Sequence, residues 1–162
     1  MSLRRPLWIL LLTSTIVSFS TWAAAPSAES FQRCAACHLA TGEGIPGAFP
    51  PLKDRVASIA TSSEGRIYLV SVVNSGLMGA ITVAGTPYMG VMPAQGSVYD
   101  AAGISEALNH AVQVIDAENV ESDWTPFSAT EVQTILDNGQ WTNGQETAKL
   151  RQKLLEKYPD LQ

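Results

Sequence analysis

The sequence predicts an all-α fold, a helical domain with long Gly- and Pro-rich loops. Three observations carry that expectation. First, "DAAGISEALNHAVQVIDAEN" places Ile104, Ala107, Leu108, Ala111, Val112 and Ile115 at i, i+3, i+4, i+7, i+8 and i+11, one face of a helix. Second, "TGEGIPGAFPPLKD" and "LMGAITVAGTPYMGVMPAQGS" are dense enough in Gly and Pro to read as irregular loops. Third, no convincing sheet is visible; the "AITVAG" centre of the second stretch is a short extended piece at most. Loops this long need partners for their backbone groups, and a large buried cofactor that they wrap would supply a reason for them.

The elements follow in order. In "MSLRRPLWILLLTSTIVSFSTWAAAPSAES", Arg4 and Arg5 are a positive start, Leu7 to Phe19 an apolar core, and Ala23, Ala24 and Ala25 small residues for a peptidase. This is the layout of a secretory signal over residues 1–25, with cleavage at 23–25. The apolar core is short for a span and is diluted by Thr13, Ser14, Thr15 and Ser18, so no stable membrane insertion is expected after cleavage. "SAESFQRCAACHLA" reads as a short helix. "SSEGRIYLVSVVNSG" reads as a helix with Ser62 and Ser63 as possible caps and Gly76 as its stop. Beyond the periodic helix, "ESDWTPFSATEV" is a linker in which Ser128 or Thr130 caps a helix through about Asp137. "GQETAKLRQKLLEKYP" is a final amphipathic helix closed by Pro159.

Without Arg4 and Arg5 the chain holds 8 Lys and Arg against 15 Asp and Glu, a net charge of -7. Nucleic acid is not expected as a partner at that charge. No Lys or Arg occurs between Arg66 and Lys149, while that stretch carries nine acidic residues. Such a run is ordinary solvated surface or a face that steers a basic partner.

The chemistry concentrates in "CAACH" at 34–38, which uses the chain's only cysteines, Cys34 and Cys37, and one of its two histidines, His38. Structural zinc wants four protein ligands, and adjacent Cys37 and His38 with a distant His110 serve it poorly. A redox dithiol wants a βαβ setting, which is absent here. A disulfide across two residues closes too small a loop to gain much. Covalent haem uses every letter. On a helical turn both thiols point one way, each able to add to a porphyrin vinyl group, and His38, four residues from Cys34, shares that face. Ala35 and Ala36 let the backbone lie against the macrocycle. C-x-x-C-H is itself a signature of c-type haem attachment. The distal candidates are Met78, Met89, Met92 and His110. Pro93 restricts the backbone of Met92, whereas Gly90 leaves Met89 freer, so Met92 is expected and Met89 is the less favoured alternative.

These residues resemble the class I family of small, soluble c-type cytochromes. The matching stretches are "CAACHLATGEGIPGAFPPL", "GAITVAGTPYMGVMP" and "ISEALNH". The resemblance implies one covalent haem c on Cys34 and Cys37, His38 as proximal iron ligand, and Met92 as distal ligand within a pattern of Tyr88, Gly90, Met92 and Pro93. It also implies that a proline carbonyl from Pro46, Pro50 or Pro51 orients His38. Two departures stand out. Phe31 lies three residues before the first cysteine instead of four, and His110 follows Leu108 and Asn109 where a tyrosine is usual. Both bear on helix packing. The resemblance covers roughly 30–116. Together with the signal pattern and the final helices, this divides the chain into an expected signal at 1–25, a cytochrome c domain at 26–117 and a helical C-terminal extension at 118–162.

The expected function is therefore that of a periplasmic electron carrier between redox partner proteins, not an enzyme. Its rivals are a haem enzyme or sensor with a labile distal site, and a cytochrome subunit of a larger dehydrogenase or oxidase complex.

Overall fold

The segment holding both cysteines folds as helix α1 (Ala28–His38) in a computed structural model that describes residues 28–161. The expected signal at 1–25 lies outside the described residues. The first Gly/Pro stretch is loop, as its composition requires, and leads into a single helical turn, α2 (Val56–Ile59), too short to leave a periodic signal. Helix α3 (Ser63–Ser75) starts where the Ser62 hydroxyl accepts from the Gly65 amide. It stops at Gly76.

The second Gly/Pro stretch corrects the all-α expectation. It forms a two-stranded antiparallel hairpin, β1 (Leu77–Val83) and β2 (Thr86–Met92). The turn is Ala84-Gly85, with φ of +47° and +77°. Two positive φ values in a two-residue connection match the right-handed twist of the strands. Ala in place of the usual Asn or Asp hid the turn. Alternation then splits the strands into two faces: Leu77, Val83 and Tyr88 are buried, while Met78, Met89 and Val91 on the other face are exposed.

Helix α4 (Ala101–His110) begins on the Asp100 cap and widens into a π turn over Ala111–Ile115. The periodic stripe faces the core as expected: Ile104 and Val112 are fully buried, with Ala107, Leu108 and Ala111 close behind. Helix α1 packs across α4. At their contact the Phe31 and His110 rings stack with centroids 5.0 Å apart at 24°. The two departures from the family pattern are thus partners in one contact, and the helix pair stays packed.

The π turn ends on Asp116, whose buried carboxylate accepts from the amides of Asp54, Arg55 and Ala57 and from the Asn119 side chain, at 2.7–3.0 Å. It ties the end of this helix to the start of α2.

Residues beyond 117 pack against the rest. Helix α5 (Ala129–Asn138), capped by Ser128, lies on α3 and α4; helix α6 (Gly144–Lys157), capped by Asn143, lies on α3 and β1. Val132 and Leu154 are buried in the common core, each contributing about 2 kcal/mol. Polar ties reinforce the seam. Asn109 bonds both backbone groups of Phe127. Arg66 grips Glu131 with two nitrogens and lies 3.8 Å over the Phe127 ring. Among the described residues no helix is long and apolar enough to cross a membrane.

Candidate functional site

α1, the loop after it, α3, α4, the hairpin and α6 enclose a cavity of about 920 Å³, counting its open mouth. Its wall is mostly aliphatic and aromatic, with side chains such as Phe31, Val56, Leu69 and Leu108. Cys34, His38 and Met92 line this one cavity, although 58 positions separate the first from the last.

His38 closes α1 and is buried. Its Nδ1 lies 2.8 Å from the carbonyl oxygen of Pro50, so Pro50 is the orienting proline among the three candidates. A carbonyl can only accept, so Nδ1 carries the proton and Nε2 keeps its lone pair. Burial pushes the His38 pKa below its ordinary value, against the opposing pull of the Pro50 bond. The ring is therefore a neutral imidazole held in one tautomer, the form that ligates metals. The loop reaches Pro50 by passing close over itself at Gly44 (φ +65°), whose amide donates to the His38 carbonyl. A Cβ there would lie 2.3 Å from the Phe49 carbonyl and 2.7 Å from that of Pro50. Only glycine fits.

Cys34 is half-buried in the wall, and burial raises its thiol pKa, partly offset by a backbone hydrogen bond and by Arg33. Cys37 is half-buried on the following turn of the same helix and is not part of the wall; neither cysteine is in a disulfide.

The hairpin separates the methionines. Met92 stands on the face of Leu77, Ile81 and Val83, all of which line the cavity. Met89, three residues earlier, is on the opposite face and 80% exposed, and Met78 is on that outer face too. His110 does not line the cavity either, being held against Phe31. Among the described residues no three His, Cys, Asp or Glu side chains cluster as metal ligands. The donor set of the cavity is one imidazole, one thioether and a thiol in an apolar shell. That set suits haem and not a zinc site.

Two wall residues escaped the sequence reading, Arg55 and Arg151. The signal for Arg151 was present: with Thr147 and Leu154 it occupies i, i+4 and i+7 of the final helix, a cation in the buried stripe.

No protein-family model matches the chain. It is similar to two proteins called cytochrome c-552, both from Thermus thermophilus. One is 43% identical over 114 residues, 70% of this chain and 76% of that protein. The other is 43% identical over 112 residues, 68% of this chain and 84% of that protein.

Proposed function

This chain belongs to the class I c-type cytochromes, and from that premise we propose that it is a periplasmic carrier, moving single electrons between redox partner proteins on one covalent haem c. When bound, the haem supplies the one-electron ferric–ferrous couple. Cys34 and Cys37 hold the group through thioethers. His38 offers Nε2 as proximal ligand, with Pro50 fixing its ring, and Met92 offers its sulfur as distal ligand. The apolar wall excludes water, which favours the less charged ferrous state and raises the potential. Export rests on the signal-like pattern at 1–25.

The observation carrying this reading is that Cys34, His38 and Met92 line a single apolar cavity. The test is expression with a c-type maturation system followed by acid–acetone extraction. Haem should stay on the polypeptide, and the double change Cys34→Ser with Cys37→Ser should leave the chain without it. Extraction of intact haem from the unaltered protein refutes covalent attachment. Slow or absent binding of carbon monoxide by the ferrous protein is expected of a carrier with Met92 in place; fast stoichiometric binding favours a haem enzyme or sensor.

A further inference from the structure

Met92 is the last residue of β2, so the strand ladder ends at it and holds nothing on its C-terminal side. The next helix begins only at Ala101. Between the two, the chain is tied down around Gln95, which is half-buried. The Gln95 amide donates to the Val73 carbonyl at 2.9 Å, and the following amide, of Gly96, donates to that of Asn74 at 3.0 Å. Both carbonyls belong to the last turn of α3, where a helix offers them no partner of its own. The backbone at Gln95 therefore serves α3. Its side chain serves two other places. Oε1 accepts from Nε of Arg33 on α1 at 3.1 Å, and Nε2 donates to the Pro93 carbonyl at 3.0 Å. The guanidinium can only donate and the carbonyl can only accept, so one orientation of the amide satisfies both. Tyr99 adds a second tie to the same helix: its amide donates to the Gln95 carbonyl and its hydroxyl to that of Ser30, each at 2.9 Å.

Each end of this side-chain bridge adjoins a residue of the site. Arg33 precedes Cys34, and Pro93 follows Met92. We propose that Gln95 is a positioning residue for Met92: by holding the Pro93 carbonyl it sets where the thioether stands relative to α1, which carries Cys34, Cys37 and His38. This rests on the haem reading above and deepens it. Pro93 has no N–H, so its carbonyl is the one backbone group by which it can be held. A thioether is a soft ligand and grips ferric iron less firmly than ferrous, so placement counts most in the ferric state. Bonds this close to solvent add little to folding. They show instead where Met92 competes with an outside ligand.

Imidazole binding to the ferric, haem-loaded full chain tests it, followed by absorption at mildly alkaline pH, where the probe is neutral and insensitive to an added surface charge. Gln95→Ala removes both side-chain bonds and keeps the backbone ones. Gln95→Glu still accepts from Arg33, but a carboxylate cannot donate to the Pro93 carbonyl. Both variants should bind imidazole about fivefold more tightly than the unaltered protein, the fold-change that one ordinary hydrogen bond represents. Both should show a weaker methionine charge-transfer band, while the melting temperature of Gln95→Glu stays close to that of the unaltered protein. An imidazole affinity and a band in Gln95→Glu that overlap those of the unaltered protein overturn the proposal and leave Gln95 a cap on α3, whether or not Gln95→Ala folds. Equal tightening in Gln95→Glu and in Gly85→Ala, which strains the turn at the far end of the hairpin, overturns it too, since a loosened hairpin is then the cause. A chain that takes up no covalent haem, or a loaded chain without the methionine band, overturns the reading of the site and this one together. A loaded chain that has the band, and whose Gln95 variants bind imidazole as it does, overturns this one alone.

Discussion

Met92 pairs with Leu77 across the hairpin, while Met89 pairs with Ala80 on the opposite face. Period-two alternation makes the two methionines mutually exclusive as cavity residues, whatever their flexibility. Met92→Ala should therefore abolish the weak ferric methionine charge-transfer band, lower the potential and open the iron to added ligands. Met89→Ala removes an 80% exposed side chain and should keep the band, with a stability change within about 0.5 kcal/mol. Absorption spectra of the two variants settle the matter, and loss of the band in Met89→Ala alone reverses the assignment.

Helices were the more legible part of this fold. The 104–115 stripe, the Ser62 and Ser128 caps and the Gly76 stop each follow from local chemistry, and each is found in the structure. The hairpin was not legible because Gly79, Gly90 and Pro87 depress strand propensity, and the pairing that overrides them joins residues whose partners cannot be read locally. That Cys34 and His38 share one side of α1 could be read from their spacing, and both line the cavity. Pro50 could not be singled out from its neighbours, because the choice depends on how the loop folds back at Gly44. Arg151 was hidden by its distance in sequence, although its place in an apolar stripe marked it.

Gly76 links the end of α3 to the segment holding Met92. Its φ is +77°, and a Cβ added there would meet the Met92 carbonyl oxygen at 2.4 Å. Gly76→Ala thus strains its own backbone and pushes on the proposed distal ligand. A loss of stability of about 1–3 kcal/mol is expected, together with a weakened charge-transfer band. A control at Gly85, also at positive φ but with nothing within 4 Å of an added Cβ, should destabilise through backbone strain and leave the band unchanged. Equal band intensities in both variants would separate Gly76 from the ligand.

Glu64 on α3 accepts from Lys157 at the end of α6 and from Tyr158. The Lys157 ammonium is the largest cause holding the Glu64 pKa down, to about 2. A depressed folded-state pKa gives a contribution present above the unfolded value and lost as pH falls toward 2. Both side chains are exposed, so the contribution is small and screened by salt. The melting-temperature difference between the unaltered protein and Glu64→Gln should be largest near neutral pH at low salt. It should shrink on acidification below pH 4.5 and on adding salt; a difference independent of both would remove the ion pair as its cause.

Asp116 is the buried acid with the most to lose. At 1% exposure it accepts four hydrogen bonds, three of them from amides of the chain entering α2. Those amides have no partner within so short a helix, so the carboxylate takes the place of a cap. Asp116→Ala leaves them buried and unpaired, at roughly 1–3 kcal/mol each before relaxation and water entry. A total loss of about 3 kcal/mol or more is expected in denaturant unfolding. Asp116→Asn keeps one carbonyl acceptor but turns an amide nitrogen toward donors, so it should also destabilise, by less. The segment held by Asp116, 54–57, includes Arg55 and Val56 of the cavity wall and lies a few residues beyond Pro50. Its loosening should therefore reach the haem site as well as the melting curve, seen as a broadened charge-transfer band in both variants. Unfolding midpoints within about 0.5 kcal/mol of the unaltered protein would mean that water replaces the carboxylate at no cost, and that Asp116 is not what fastens this wall.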